Sequence, residues 1–147
     1  MDYCNAVLYG APTMTITKLQ RVQHNLARAV CRCSGRTDAR PLLKSLHWLP
    51  IHERITYKVA VLTYKIRESS TPTYLSDLLH PVTSSRSSRS VDTRRLQTQR
   101  TRTELGRRAF SVVATTVWNS LPAQLRLSGS LPTFKKHLKS LLFTSAF

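Results

Sequence analysis

From Thr15 onward, apolar residues recur at Ile16, Leu19, Val22, Leu26 and Val30, the spacing of three or four that places side chains on one face of an α-helix. The opposite side carries Lys18, Arg21, Asn25, Arg28 and Arg32 at the same steps. The pattern predicts an amphipathic helix, apolar on one face and basic on the other, with Pro12 ahead of it as a start and Gly35 behind it as a stop. Pro41 through Leu46 predicts a short helix closed by Leu49-Pro50, and Ile51, Ile55, Val59, Leu62 and Ile66 mark a second long amphipathic helix. Trp48, in the connection between them, reads as a core plug beside apolar Leu46 and Leu49 rather than as a platform for a base. Thr71 as cap and Pro72 at the first position predict a helical turn reaching Leu79.

The pattern breaks at Pro81. From there to Glu104 the chain is dominated by Ser, Thr, Gln and Arg, with Arg86, Arg89, Arg94, Arg95, Arg100 and Arg102 against Asp92. So polar a stretch has little apolar surface to bury in return for being ordered, which predicts a flexible basic linker with room for a small β-hairpin. Its arginines suit either a solvated linker or a strap that orders on a nucleic acid. Beyond it, Phe110, Val113, Val117 and Leu121 return to helical spacing, although Ser111-Val112-Val113 would also tolerate a strand. Pro122 ends that element. Pro132 opens a last helix, with Phe134, Leu138, Leu141 and Leu142 inward and Lys135, Lys136 and Lys139 outward. The expected fold is mainly α: a small helical bundle over 1–80, a Ser/Arg-rich linker over 81–104 and a C-terminal helical segment over 105–147.

Charge sharpens this picture. The chain of 147 residues has a formal net charge of +16 and hydrophobic residues make up 41% of it, enough apolar content for a folded protein rather than a basic tail. Between Asp2 and Asp38 there is no carboxylate, and after Glu104 no acidic side chain follows. A solvated basic helix face ordinarily carries Glu or Asp three or four residues from its cations. Without them, Lys18, Arg21, Arg28, Arg32, Arg86, Arg89, Arg94, Arg95, Arg107, Arg108, Lys135, Lys136 and Lys139 are candidate contacts for an external polyanion. RNA or DNA is the expected partner, held through phosphates irrespective of base sequence.

Other chemistry finds little support in the residues. Asp2, Asp38, Glu53, Glu68, Asp77, Asp92 and Glu104 are the whole carboxylate supply, and no two adjoin as two-metal catalysis requires. Nucleophile elbows, phosphate-binding glycine loops and zinc-protease helices are missing from the string, so no catalytic residue and no cofactor is expected. Cys31, Cys33, His47 and His52 suggest a zinc finger only superficially. One residue separates the cysteines, and Pro50 interrupts any helix that would present both histidines. The N-terminal stretch has no secretory leader and no apolar run approaches the roughly 20 residues of a membrane span. Three cysteines then point to reduced thiols and an intracellular protein, nuclear or cytoplasmic.

Several segments resemble the region that follows the polymerase site in LINE-type non-LTR retrotransposon reverse transcriptases of the jockey-like kind. Asp2-Tyr3-Cys4-Asn5 with Leu8-Tyr9-Gly10, and Lys18-Leu19-Gln20-Arg21-Val22-Gln23, are similar to its DYCN…LYG and KLQRVQ runs, with His24 where Asn is usual. Leu46-His47-Trp48-Leu49-Pro50 with Arg54-Ile55 resembles LHWLP and the RI after it. Leu62-Thr63-Tyr64-Lys65, Pro72-Thr73-Tyr74-Leu75 and Asp77-Leu78-Leu79 follow in family order. Arg108-Ala109-Phe110-Ser111 and Trp118-Asn119-Ser120-Leu121-Pro122 look like RAFS and WNSLP, with Thr115 where the family favours Pro, and Phe134-Lys135 comes after.

The resemblance implies a helical thumb-like region in the first eighty residues and a C-terminal extension thereafter, with the metal-binding palm upstream of Met1. It implies a catalytically empty fragment that retains sequence-independent nucleic-acid binding, and apolar faces on which copies would self-associate. The same helices would equally serve a domesticated protein-interaction module, and the divergent positions suit a translated remnant without function.

Overall fold

The computed structural model describes residues 4–82 and 94–147, and it is mainly helical. Arg86 and Arg89, with residues 83–93 of the expected flexible stretch, lie outside the described residues. The chain forms two compact units, one of residues 1–57 with 139–147 and the other of residues 58–138.

In the first unit a short 3-10 turn, Asn5–Leu8, precedes α1 (Thr13–Val30), and α2 (Ala39–Ser45) packs on α1. α1 ends before Gly35, because Arg32 takes the left-handed conformation at φ 51° and the Cys33 amide reaches back to the Arg28 carbonyl at 2.9 Å. α2 closes in the same way, with His47 at φ 54° and Trp48 N–H on Leu43 O at 2.9 Å. Asp38 caps α2 by accepting from the Arg40 amide at 3.1 Å. The first turns of α3 (Ile51–Ser69) and the end of α8 (Leu131–Ala146) complete the unit. Here Phe143 stacks on His47 with centroids 5.6 Å apart, and Arg40 Nη2 donates to the Ala146 carbonyl at 2.9 Å. Trp48 is half-buried, while Leu43 of α2 and Leu49 of the connection are buried.

α1 does not turn its most apolar face inward, contrary to the reading of its periodicity. Gln23 and Ala27 are its buried residues, at 1% and 0% exposure, whereas Val22, Leu26 and Val30 stand 47%, 45% and 58% exposed. The reason is a pair of side-chain amides. Gln23 Nε2 donates to the Leu49 carbonyl at 2.8 Å, Gln20 Nε2 donates to Gln23 Oε1 at 2.9 Å, and Gln20 Oε1 accepts from the Ile51 amide at 2.9 Å. Ile51 opens α3, so its N–H has no partner within its own helix and Gln20 supplies one. Buried polar groups that complete their hydrogen bonds stabilise, and each such bond left unmade costs about 1–3 kcal/mol. The clasp therefore holds the Gln20, Gln23 and Ala27 side of α1 inward.

The second unit comprises α3 from Lys58, α4 (Thr73–Ser76), α5 (Glu104–Arg107), α6 (Phe110–Ser120), α7 (Ala123–Arg126) and α8 as far as Leu138. α4 begins from Pro72 with no side-chain cap, so Thr71 does not play the capping part its position suggests. α6 is helical despite its β-branched content. Val112, Val113, Val117 and Trp118 are all buried, and burial overrides weak local propensity. Thr115, enclosed in the same helix, satisfies its hydroxyl on the Ser111 and Val112 carbonyls. Tyr64, Trp118 and Phe134 form an aromatic cluster, with centroids 4.5 Å apart for Tyr64–Phe134 and 5.9 Å for Trp118–Phe134. Arg67 lies over the Trp118 ring at 4.8 Å, and Tyr64 Oη donates to the Ser128 carbonyl at 2.9 Å. In α8, Phe134 and Leu138 are buried as expected, but Leu141 is exposed.

Of the region read as linker, Pro81, Val82 and residues 94–98 are tied down. Pro81 and Leu96 form an isolated antiparallel bridge, Leu96 is 1% exposed, and Asn119 brackets its backbone, with Nδ2 on the carbonyl at 2.7 Å and Oδ1 on the amide at 2.9 Å. Trp118 Nε1 donates to the Arg94 carbonyl at 2.7 Å beside it.

The clasp yields the first test. Gln23→Ala removes one buried and one part-buried hydrogen bond and leaves a small void, and it should cost about 2 kcal/mol. Val22→Ser, one residue away and more apolar in the wild type, should change stability by less than about 0.5 kcal/mol. Urea unfolding followed by circular dichroism measures both. A larger loss in Val22→Ser than in Gln23→Ala would show that α1 is turned the other way.

Candidate nucleic-acid interface

The candidate cations fall into groups set by their helices. Lys18, Arg21 and Arg28 share one side of α1, and Arg32 follows in the turn at its end. α1 rises about 1.5 Å per residue, so Lys18 to Arg28 extends over roughly 15 Å, the length of a few phosphates along a strand. Lys18, Arg21 and Arg32 are exposed, and among the described residues none of them has a carboxylate partner. Arg28 differs. It is half-buried, with Nε on the Thr37 carbonyl at 2.8 Å and Nη1 on Asn25 Oδ1 at 3.1 Å, so its guanidinium helps to hold the loop after α1.

Arg94 pairs with Glu68 at 3.2 Å and Arg107 with Glu104 at 3.0 Å, both at the surface. Exposed pairs of this kind contribute about 0–1 kcal/mol, too little to withhold either arginine from a phosphate. Arg95 and Arg108 are exposed. On α8, Lys136 and Lys139 are exposed and Lys135 is half-buried. Helical spacing puts Lys135 and Lys139 one turn apart, with Lys136 alongside.

A groove borders the α1 cations. Ile16, Thr17, Gln20, Arg21, His24 and His52 line a hollow of about 210 Å³, which adjoins a second of about 370 Å³ where Tyr9 and Ile55 join Ile16 and His52. Ile16 and Ile55 supply aliphatic lining, and two imidazoles, a phenol and Arg21 join it. Those groups can accept the flat face of a base beside a phosphate held by Arg21. In the sequence His52 draws notice only as a superficial zinc ligand, and Tyr9 and His24 only within the family-like segments, since single rings far apart in the chain give no periodic signal that would join them in one groove. Burial holds the His24 imidazole below the ordinary histidine value, with the neighbouring Arg28 charge adding to the effect and Asp38 opposing it. The ring is thereby biased to the neutral form.

Among the described residues no three His, Cys, Asp or Glu side chains gather as a metal site, and no helix is long and apolar enough to cross a membrane. Cys4, Cys31 and Cys33 are free thiols. Comparison with family models, curated proteins and solved structures returns no match to this chain.

His24 supplies a pH signature. Between its lowered folded value and 6.5 the unfolded chain binds the proton that the folded one refuses, so stability falls as pH drops through that window. The urea midpoint should decline from pH 7 towards pH 5, and less steeply in His24→Gln. An identical decline in the variant would assign the effect to other groups.

Proposed function

We propose that this chain binds RNA or DNA without regard to base sequence, through phosphate contacts centred on the α1 cations. The observation that carries the reading is the row Lys18, Arg21 and Arg32, exposed and without carboxylate partners in a stretch that holds no acidic residue from Tyr3 to Thr37. Association with a polyphosphate releases condensed counterions, which is favourable for any cation row that lacks internal partners. Exposed Arg95 and Arg108, with the α8 lysines, extend the same chemistry elsewhere on the chain. The resemblance to the thumb-like region of non-LTR reverse transcriptases agrees with this role, in which the chain holds nucleic acid and the residues of a polymerase site belong to another part of the protein.

Binding to a labelled single strand should weaken steeply with salt, by about two to three orders of magnitude between 50 and 200 mM if roughly six phosphates are contacted. Replacing Lys18, Arg21 and Arg32 together by Gln should reduce the log–log salt slope by about two and weaken RNA and DNA alike, with helicity retained. Fluorescence anisotropy at graded salt reads both effects. An unchanged slope in the triple variant would remove α1 from the interface, and affinity indifferent to salt would remove the phosphate reading altogether.

A further inference from the structure

Val22, Leu26 and Val30 recur at every fourth residue of α1, and all three are exposed. Side chains in an i, i+4 row form a continuous ridge along a helix, the element that fits into the groove of a second helix. Half-buried Leu19, three residues before Val22, lies on the same face, and Lys18 stands at the N-terminal end of the row. The two flanks of this ridge differ. On one side Gln20, Gln23 and Ala27 are turned into the unit by the glutamine clasp. On the other run Lys18, Arg21 and Asn25, with no carboxylate among them. The surface is therefore an apolar row with positive charge along one side only.

We propose that this ridge docks an amphipathic helix of a partner protein whose own apolar row is bordered on one side by carboxylates. Charge complementarity selects this occupant. A second copy of the chain would bring the same cations and the same net charge of +16 to the contact. An anionic bilayer suits a helix with cations on both borders of its apolar face, whereas one border here is closed by the unit itself. A nucleic acid would satisfy Lys18 and Arg21 but leave the ridge in water. A helix laid alongside buries the row and neutralises the flank together. The inference rests on the ridge and stands apart from the phosphate reading, although the two share Lys18 and Arg21 and so predict mutually exclusive binding.

The probe is a synthetic eighteen-residue peptide with leucines in one helical row and glutamates along one side of it. Its control is a peptide of identical composition whose leucines are scattered around the helix. With the full chain, the first should bind at least about tenfold more tightly than the second and should be displaced by a single-stranded oligonucleotide. The double variant Val22→Ser/Leu26→Ser should lose at least about tenfold in peptide affinity while keeping its circular dichroism and its oligonucleotide binding. Loss of oligonucleotide binding in the wild type would sink the phosphate reading and leave this one standing. Equal affinity for both peptides, no binding of either, or peptide affinity indifferent to the double substitution would overturn the proposal. So would self-association in sedimentation, or adsorption to phosphatidylserine vesicles, if either disappears in the double variant.

Discussion

Two glutamines on α1 decide how the first unit presents itself. The corner between α2 and α3 contains Pro50, which has no N–H, and it leaves the Leu49 carbonyl and the Ile51 amide in need of partners. Gln23 Nε2 meets the carbonyl and Gln20 Oε1 meets the amide, and the two side chains are bonded to each other. Arg54 Nε, from the next turn of α3, takes the second site on the same carbonyl at 2.9 Å. The direction of every bond is fixed by the backbone at its end, because turning the Gln23 amide over would set its oxygen against the Leu49 oxygen. With Gln20 and Gln23 committed inward, the 100° step of the helix leaves Val22, Leu26 and Val30 outward and the Lys18/Arg21 row beside them. Both the candidate phosphate row and the apolar ridge follow from that single orientation.

The second unit solves a related problem with different residues. A stretch rich in Arg, Ser and Gln contributes Leu96 to the interior, and Asn119 accompanies it by making both hydrogen bonds that a neighbouring strand would have made to its backbone. Trp118 fills the core, accepts Arg67 over its ring and holds the Arg94 carbonyl with its indole N–H. Tyr64 and Phe134 stack against each other in the same cluster. The segments LHWLP and WNSLP thus lie where the chain must satisfy backbone groups close to a buried side chain. Their residues act in architecture.

Periodicity was a sound guide to the long helices: α1, α3, α6 and α8 fall where steps of three and four recur, and Pro50 and Pro122 bound them as the chemistry of proline requires. It failed on orientation in α1, because apolar periodicity assumes that apolar residues win the interior. A glutamine that completes its hydrogen bonds competes successfully with a valine, and nothing in the local string discloses a partner 26 residues away. Leu96 was overlooked for a similar reason, since a single apolar residue in a polar stretch carries no period. The cation rows were legible from the missing carboxylates alone. What composition could not reveal is the division of labour within them: Arg28 spends its guanidinium on the Thr37 carbonyl, whereas among the described residues Lys18 and Arg21 do not have such a tie.

The orientation of α1 is the claim on which the rest stands, and solvent paramagnetic relaxation of methyl groups addresses it most directly. In a methyl-labelled sample with a soluble gadolinium agent, the methyls of Val22, Leu26 and Val30 should relax rapidly while those of Ala27 and Leu43 are spared. Protection of Val22 and Leu26 together with strong relaxation of Ala27 would contradict the clasp, and with it the surface assigned to both phosphate and partner.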